Sequence, residues 1–161
     1  MRGRGGYRIV SVIIDEPERP EDPGTPLPFF VYGTLRPGEA NHDLFLRDRT
    51  ATEEPAHLPG AALYDGPGYP YAVDRPDGEI RGELITPHPE SYTELLTALD
   101  HLEEYVPGDP HNLYERTART VIRTTDDTPT LAWVYLAAPR VAARLRADGQ
   151  LIEDGDWLSR R

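Results

Sequence analysis

Short apolar runs and alternating segments along the chain predict a series of β-strands. Residues 29–32 are all apolar, which is typical of a strand buried on both faces. Residues 79–85 alternate between polar and apolar side chains, and this pattern indicates a half-exposed strand. Residues 116–123 and 130–136 predict two more strands around a polar turn. Because the second of these is apolar on both faces, we expect it in the middle of a sheet.

Turn-forming residues shape the segments between these strands. Residues 51–74 contain turn signals at Pro59-Gly60 and again over residues 65–70, so we interpret this segment as several short strands. Further upstream, residues 41–47 predict a short helix with Asn41 as its N-cap.

The strongest helical pattern covers residues 89–103. Pro89 suits the first helical position, and Glu90 complements the positive end of the helix. Apolar residues recur at helical spacing at Tyr92, Leu95, Leu96, Leu99 and Leu102. Strands on both sides of one good helix predict an α+β fold with a curled or closed sheet.

The first 28 residues are predicted to be a lead-in to a domain of residues 29–161. Residues 16–28 contain five prolines and no apolar pattern, as in a linker or an extended strap. Residues 7–15 are interpreted either as an extra strand or as an unfolded segment. Their apolar run is far shorter than the roughly 20 residues that span a bilayer, and no signal-peptide cleavage pattern follows it. We therefore expect a soluble, cytoplasmic protein.

Composition and charge narrow the possible functions. The chain has 161 residues, enough for one domain, and 17 basic against 28 acidic residues give a formal net charge of −11. A field of that sign repels phosphate backbones, so we expect no nucleic-acid partner. The absence of lysine and cysteine excludes Schiff-base chemistry, thiol nucleophiles and thiolate metal sites. The five histidines lack metal-site spacing and no serine lies in a nucleophile elbow, so no metal is predicted.

One carboxylate of the predicted helix lies on its apolar face. With Tyr92 at zero, the apolar positions fall between about −80° and about +40°, and Glu103 falls at about +20°. Glu104 falls at about +120°, towards solvent, and Asp100 also points away from the apolar face. A carboxyl group in apolar surroundings has a raised pKa and can take and return a proton. The alternative is that the helix ends before Glu103 and its side chain escapes to water.

A glycine-containing loop follows the first strand, with the sequence Tyr32-Gly33-Thr34-Leu35-Arg36-Pro37-Gly38. We expect Gly33 to adopt a backbone conformation that is closed to other residues. The successive N–H groups of Gly33, Thr34 and Leu35 can then face one concavity and bind a carboxylate or carbonyl oxygen. Taken alone, the loop is more simply interpreted as a structural hairpin.

This loop and the end of the helix belong to an ordered set of short motifs that spans about residues 29–157. The set resembles the γ-glutamylcyclotransferase-like superfamily, which includes γ-glutamylamine cyclotransferases and AIG2-like proteins. In chain order the motifs are Val31-Tyr32-Gly33-Thr34-Leu35-Arg36, Leu58-Pro59-Gly60, Leu63-Tyr64, Tyr69-Pro70-Tyr71, Arg81-Gly82-Glu83-Leu84, Leu99-Asp100-His101-Leu102-Glu103, Tyr114-Glu115-Arg116, Trp133-Val134-Tyr135 and Gly155-Asp156-Trp157.

The resemblance implies a fold and a set of site residues. The implied fold is α+β, with a mixed, barrel-like β-sheet around a cavity, one main amphipathic helix and short flanking helices. The loop of Tyr32, Gly33, Thr34 and Leu35 would hold a γ-glutamyl group. Glu103, which the helical pattern also singles out, would be the catalytic acid and base.

Other residues near this predicted site have a structural alternative or depart from the family pattern. Tyr114 and Tyr32 are candidate positioning residues for the substrate, and a packed aromatic ring with a satisfied hydroxyl is the alternative. Glu104 stands where many relatives have glycine, and its charge bears on the pKa of Glu103. Residues 106–112 form a long link that we expect to reshape the mouth of the pocket.

The implied reaction uses no cofactor and no nucleophile from the protein. The α-amine of the substrate attacks its own γ-carbonyl group, which forms 5-oxoproline and releases an amine. We expect a small-molecule γ-glutamyl substrate, a monomer, and no metal, cofactor or membrane partner. Two alternatives are a non-catalytic module that binds an amino-acid-like ligand in the same barrel, and an interaction protein that uses its acidic surface.

Overall fold

The computed structural model describes residues 26–160 of the chain. Within this range the sheet has strands β1 (Phe29–Val31), β2 (Thr50–Tyr64), β3 (Tyr71–Pro87), β4 (Tyr114–Arg123), β5 (Pro129–Ala137) and β6 (Leu151–Ile152). Their order is β3-β1-β5-β4-β2-β6, and β2 also pairs with β3, so β1 to β5 form a closed ring. Since β1 and β5 are parallel and the other pairs are antiparallel, the predicted mixed, barrel-like sheet is confirmed.

The central strands lie where the apolar pattern predicts them. β5 lies between β1 and β4, and every residue of β1 is buried. In the second half of β3, Ile80 and Leu84 are buried and alternate with more exposed charged residues. Gly82 lies between these two because a Cβ atom there would come within 2.1 Å of the carbonyl oxygen of Val31. Close contact between β1 and β3 therefore depends on this glycine.

Residues 51–74 differ from the prediction, because they belong to two long strands rather than several short ones. At Pro59-Gly60 the strand does not turn but forms a β-bulge. The register of β2 against β3 shifts between Pro59 and Ala61, and Gly60 has a φ of 79°. A bulge of this kind bends a strand without ending it. Only the turn signals over residues 65–70 mark a true break between strands.

The predicted main helix is present as α1 (Tyr92–Leu102), which follows a 3-10 turn at Pro89–Ser91. The predicted helix over residues 41–47 is instead a π-helical turn, His42–Leu46. Asn41 precedes this turn, but its side chain donates a hydrogen bond to Thr34 Oγ1 (2.9 Å) and accepts none from the turn. Asn41 thus occupies the predicted N-cap position, but its side chain makes no capping hydrogen bond and instead holds the loop after β1.

The structure adds a helix that the sequence pattern did not predict, α2 (Pro139–Asp148). Pro139 at its first position is a start signal. However, only Val141 and Ala142 are buried among its residues. Its apolar face carries alanines and two larger side chains, Val141 and Leu145, among four charged residues, so its helical pattern is less conspicuous than that of α1.

Two apolar clusters fill the inside and cover the outside of the ring. The inner cluster takes buried residues from all five ring strands and includes Trp157. The outer cluster joins Phe29 and Val31 of β1 to Leu95 and Leu99 of α1. α1 therefore packs on the outer face of the ring, beside the strand that precedes the glycine-containing loop.

The residues just before β1 contact the domain. Leu27 is 6% exposed, and its carbonyl oxygen accepts a hydrogen bond from the Tyr92 hydroxyl (2.9 Å). The carbonyl oxygen of Pro28 accepts one from the backbone N–H of Trp133 (2.9 Å). The interpretation of residues 7–15, and that of residues 16–28 up to position 25, lie outside the described residues. In the part of the chain that is described, no helix is long and apolar enough to cross a membrane.

Candidate active site

A cavity of about 430 Å³ opens between the loop after β1 and the end of α1. The six residues predicted for the site come from three distant parts of the chain. The fold brings all of them to the wall of this cavity: Tyr32, Gly33, Thr34, Leu35, Glu103 and Tyr114. Their roles in binding and catalysis stay predictions.

The end of α1 determines the position of Glu103. The N–H of Tyr105 donates to the carbonyl oxygen of Asp100 (2.8 Å), and the N–H of Glu104 donates to that of His101 (3.0 Å). These two bonds form a Schellman motif, in which Glu103 is the last residue before the chain turns away. α1 ends at Leu102, one residue earlier than predicted, but the backbone N–H of Glu103 still donates to the carbonyl oxygen of Leu99 (3.0 Å). Glu103 therefore continues the last turn and lines the cavity instead of turning out to water.

The carboxyl group of Glu103 is in an unusual electrostatic position. Burial raises its pKa from 4.5 to about 7, because desolvation disfavours the charged form. Its side chain forms no hydrogen bond or ion pair with another residue of the described range. Near neutral pH the group is thus divided between its two protonation states and is free to exchange a proton with a ligand.

Three buried tyrosines, Tyr32, Tyr114 and Tyr135, lie close enough to this carboxyl group to interact with it electrostatically. Tyr32 donates to the carbonyl oxygen of Tyr135 (2.5 Å), and Tyr114 donates to that of Pro70 (2.7 Å). Burial raises the pKa of Tyr32, Tyr114 and Tyr135 well above the ordinary value, so these phenols stay neutral. Both candidate positioning tyrosines therefore have satisfied hydroxyls and also line the cavity. Each oxygen keeps acceptor capacity for a ligand.

The loop after β1 needs glycine at position 33 for a different reason from the one predicted. Gly33 is not among the residues with positive φ, which in this loop is found at Gly38. A Cβ atom at position 33 would instead lie 2.8 Å from the ring of Pro70. The N–H groups of Gly33, Thr34 and Leu35 donate to no acceptor within the described range, which leaves them available to a ligand.

Arg36 anchors this loop to two other motifs. Its guanidinium group forms two hydrogen bonds with the Glu83 carboxylate (2.8 and 3.1 Å) and one with Asp156 (2.7 Å). The Arg36 side chain is almost fully buried, and its paired geometry makes these contacts strong. The sequence motifs that contain Arg36, Glu83 and Asp156 therefore meet at one ion-pair cluster, which pattern reasoning did not identify.

Asp100 plays a similar anchoring role at the end of α1, and sequence reasoning missed it. Its carboxylate accepts a hydrogen bond from the Tyr135 hydroxyl (2.6 Å) and pairs with Arg116 through two bonds (2.8 and 3.2 Å). Arg116 also lies over the ring of Trp133, 4.4 Å from its centroid. The helical wheel turns Asp100 away from the apolar face, but strands β4 and β5 meet it there with these partners.

The long link after α1 is a closed loop. The side chain of Asn112, which is buried, donates to the carbonyl oxygen of Val106 (2.8 Å) and accepts from its N–H (3.1 Å). Glu104 and Leu113, which flank this loop on either side, both line the cavity. The loop over residues 106–112 is therefore attached to the cavity wall at both ends.

The available chemistry of the cavity is limited to a few groups. Its wall is apolar and aromatic apart from two carboxylates, those of Glu103 and Glu104, and a few polar loop groups. Across residues 26–160, no group of three or more histidine, aspartate or glutamate side chains is arranged to hold a metal ion. The arrangement supports proton transfer at Glu103 and binding of an oxygen by backbone N–H groups.

The chain is similar to known proteins of one family. The family model described as "Gamma-glutamyl cyclotransferase, AIG2-like" matches residues 29–159. The gamma-L-glutamyl-butirosin B gamma-glutamyl cyclotransferase of Niallia circulans is 35% identical over 66% of this chain and 64% of its own length. A protein of Halalkalibacterium halodurans that carries the name of a gamma-glutamylcyclotransferase is 39% identical over 60% of this chain and 77% of its own.

Solved structures show the same fold. A mouse AIG2-like protein superposes with a TM-score of 0.56 at 23% identity, covering 71% of this chain and 80% of that protein. The chain thus spans slightly less than two thirds of the first of these sequence relatives and most of the other and of the mouse protein.

Proposed function

This chain belongs to the gamma-glutamyl cyclotransferase, AIG2-like family, and from that premise we propose that it converts a γ-glutamyl amine or peptide into 5-oxoproline and a free amine. The family and the names of its relatives indicate a γ-glutamylcyclotransferase. The observation that carries the more specific proposal is the unpaired carboxyl group of Glu103, with a pKa raised to about 7, in the wall of the cavity.

The proposed reaction is an intramolecular aminolysis. The α-nitrogen of the substrate attacks its γ-carbonyl carbon, a C–N bond forms, and the carbonyl oxygen takes the negative charge. Glu103 accepts a proton from the attacking nitrogen and returns it to the leaving nitrogen as the original amide bond breaks. Such acid–base catalysis contributes about 10²–10⁴-fold. Because the two reacting atoms belong to one molecule, the site has only to hold the glutamyl chain folded with its α-nitrogen against its γ-carbonyl carbon.

The loop after β1 supplies the other half of the proposed site. The free N–H groups of Gly33, Thr34 and Leu35 bind the α-carboxylate or the developing oxyanion. Tyr32 and Tyr114 position the folded glutamyl chain with their rings and hydroxyl oxygens. A relative named for its action on gamma-L-glutamyl-butirosin B supports a γ-glutamyl amide as the substrate class.

Mass spectrometry of a γ-glutamyl-amine library, incubated with the pure protein, tests this proposal. We expect release of 5-oxoproline, and no cleavage of the same compounds after N-acetylation, because acetylation removes the attacking amine. Glutamate as the primary product, or equal cleavage of an acetylated compound, would indicate an amidase. Binding of γ-glutamyl amides without turnover would indicate a non-catalytic module.

A matched pair of variants tests the assigned role of Glu103. Glu103→Gln keeps the volume of the side chain but cannot exchange protons, so we expect turnover to fall by at least about 100-fold with the fold retained. Glu90→Gln makes the same chemical change at an exposed position outside the cavity and should leave turnover unaltered. Near-normal turnover by a folded Glu103→Gln protein would contradict the assignment.

A further inference from the structure

We propose that Asn41 is a positioning residue for the loop after β1. Its side chain leaves the hydroxyl proton of Thr34 directed into the cavity, where this proton is a fourth donor to the α-carboxylate of the substrate. The proposal rests on the proposed function for the identity of that substrate. It adds a residue that acts through Thr34 and that the sequence pattern predicts only as a helix N-cap.

Two hydrogen bonds join Asn41 to Thr34. The backbone N–H of Asn41 donates to the carbonyl oxygen of Thr34 (3.0 Å), and the side-chain amide nitrogen of Asn41 donates to Thr34 Oγ1 (2.9 Å). Both residues are half-buried and line the cavity. Because the backbone and the side chain of Thr34 are bound by the same residue, its hydroxyl oxygen has a fixed place in the cavity wall.

The direction of the side-chain bond decides what the Thr34 hydroxyl can offer a ligand. A hydroxyl group has one proton to donate and two lone pairs that accept. Since the Asn41 amide nitrogen is the donor, this contact uses a lone pair of Thr34 and not its proton. Thr34 donates that proton to no acceptor within the described range. The proton is therefore available to a ligand, beside the free N–H groups of residues 33–35.

Further contacts hold Asn41 in place without a ligand. The backbone N–H of His42 donates to the carbonyl oxygen of Glu39 (3.1 Å), and one ring nitrogen of His42 lies 2.9 Å from both carboxylate oxygens of Glu53 on β2. The Glu53 carboxylate also accepts a hydrogen bond from the Thr50 hydroxyl (3.0 Å). The residue next to Asn41 is thus attached to β2, so the amide group is oriented before a substrate binds.

A neutral donor is important here because no cationic side chain serves the cavity. Among the described residues, no arginine or histidine lines it, and the sequence has no lysine. The guanidinium group of Arg36, in the same loop, is already bound to Glu83 and Asp156. A carboxylate accepts several hydrogen bonds at once, so N–H and O–H donors of the loop are the groups that can hold it. One such bond to a charged group strengthens binding by about 10–100-fold.

Reversing the bond between the two side chains tests the proposal. Asn41→Asp nearly keeps the shape of the side chain, but a carboxylate only accepts, so Thr34 would donate its proton to the new carboxylate and offer the cavity none. Thr34→Val removes the hydroxyl group and keeps the volume. A double-mutant cycle combines the two substitutions in the Glu103→Gln background, where ligands should bind without turnover.

Titration calorimetry compares γ-glutamylbutylamine with N-butyl-4-aminobutanamide, which is the same molecule without the α-carboxylate. We expect Thr34→Val to weaken binding of the first compound by about 10–100-fold. Asn41→Asp should weaken it at least as much when Thr34 is present. In the Thr34→Val protein, where only the added charge acts, its effect should be about fivefold or less. The compound without the carboxylate should show no such difference between the two backgrounds.

Each alternative explanation predicts a different result. Gln150→Glu adds the same charge at an exposed position outside the cavity and should leave both affinities unaltered. An equal effect of Asn41→Asp in both backgrounds would assign the loss to charge alone, and an unaltered affinity would show that Asn41 only holds the loop. Either result overturns the proposal, as does an equal difference for the two compounds or the absence of binding by γ-glutamylbutylamine.

Turnover by proteins that retain Glu103 keeps this test separate from that of the proposed function. There Asn41→Asp should raise KM and leave kcat nearly unchanged, because the α-carboxylate takes no part in the bond changes. If 5-oxoproline is released but the cycle shows no coupling, the proposed function stands and the role of Asn41 fails. If the coupling is found without turnover by the wild type, the role of Asn41 stands and the catalytic proposal fails.

Discussion

Glu103 combines a half-buried position in the cavity wall with a carboxyl group that has no partner among the described residues. Burial raises the pKa of Tyr71 to about 12 and that of Tyr114 well above the ordinary value. Both tyrosines therefore remain neutral near pH 7. Glu103 is therefore the group of the inner cavity wall whose charge changes near pH 7. Because its pKa is raised rather than lowered, this charge opposes folding, and the effect can be measured.

The free energy of unfolding should depend on pH in a way that reflects the raised pKa of Glu103. Between pH 4.5 and about 7 the folded state holds a proton that the unfolded chain releases, so this group's contribution to stability falls as pH rises. Below pH 4.5 this destabilising effect is absent, and above about pH 7 it is complete. We expect Glu103→Gln to match the wild type at pH 4 and to exceed it at pH 8 by at most roughly 3 kcal/mol, and by less where solvent in the cavity screens the charge.

Urea unfolding of the wild type and of Glu103→Gln between pH 4 and pH 8 measures this difference in stability. The pH at which half of the difference has developed should lie between 4.5 and about 7. A stability difference that does not depend on pH would show that the Glu103 carboxyl group is not shifted.

Sequence alone predicted Glu103 better than its neighbours, and the reason is the range of the interactions. Its direction follows from helical geometry, which depends only on residues a few positions away. Position 33 requires glycine because a Cβ atom there would clash with the ring of Pro70, and the partners of Asp100 lie on strands β4 and β5. Contacts between distant residues have no local pattern, so they became visible only in the folded chain.

At the scale of the helix end, Glu104 is a removable source of strain. We expect Glu104→Gly to stabilise the protein by about 1 kcal/mol, because glycine adopts positive φ without a clash of its Cβ atom. Glu104→Ala removes the same charge but keeps the Cβ atom, so it should give little or no gain. Chemical denaturation of the two variants measures the difference. Equal stabilisation by alanine would assign the effect to charge instead of backbone conformation.

The attachment of α1 to the sheet should depend on Asp100. Its pair with Arg116 is largely buried, with side-chain exposures of 21% and 15%, and Asp100→Asn leaves the guanidinium group without its anion. We expect a loss of about 2–3 kcal/mol in unfolding free energy. The matched control is Asp74→Asn, whose pair with Arg119 is more exposed (54% and 36%) and should contribute less than about 1 kcal/mol. Equal losses from the two substitutions would contradict an anchoring role for Asp100.

Whole elements could be predicted where burial is one-sided and strong. α1 presents several leucines at helical spacing and buries Leu95 and Leu99 against the ring, whereas the apolar face of α2 carries alanines and only two larger side chains, Val141 and Leu145. The Pro59-Gly60 sequence led to the prediction of several short strands where the structure has the single strand β2, because local turn residues cannot distinguish a bulge from a turn. Pairing with β3 along its length decides between the two.

At the scale of the molecule, the family motifs correspond to one connected structure. Arg36 joins the loop after β1 to Glu83 on β3 and to Asp156 near the end of the chain. The backbone N–H of Arg81 also donates to the carbonyl oxygen of Gly155 (2.8 Å). Three motifs that are far apart in sequence thus hold the cavity wall in place. This explains why their presence in order predicts the fold better than any one of them.

The contacts of Leu27 and Pro28 bear on where the independently folding unit starts. We propose that residues 1–25 are dispensable and that the unit includes Leu27 and Pro28, because Leu27 is buried and both carbonyl groups accept hydrogen bonds from the domain. A truncated variant that starts at Pro26 should therefore unfold like the full chain and keep its activity. One that starts at Phe29 should lose about 2.5–6 kcal/mol, the combined size of one buried leucine and two hydrogen bonds. Urea unfolding compares the three proteins, and equal stability of the two shortened variants would place the boundary at Phe29, whereas instability of both would show that the lead-in is structural.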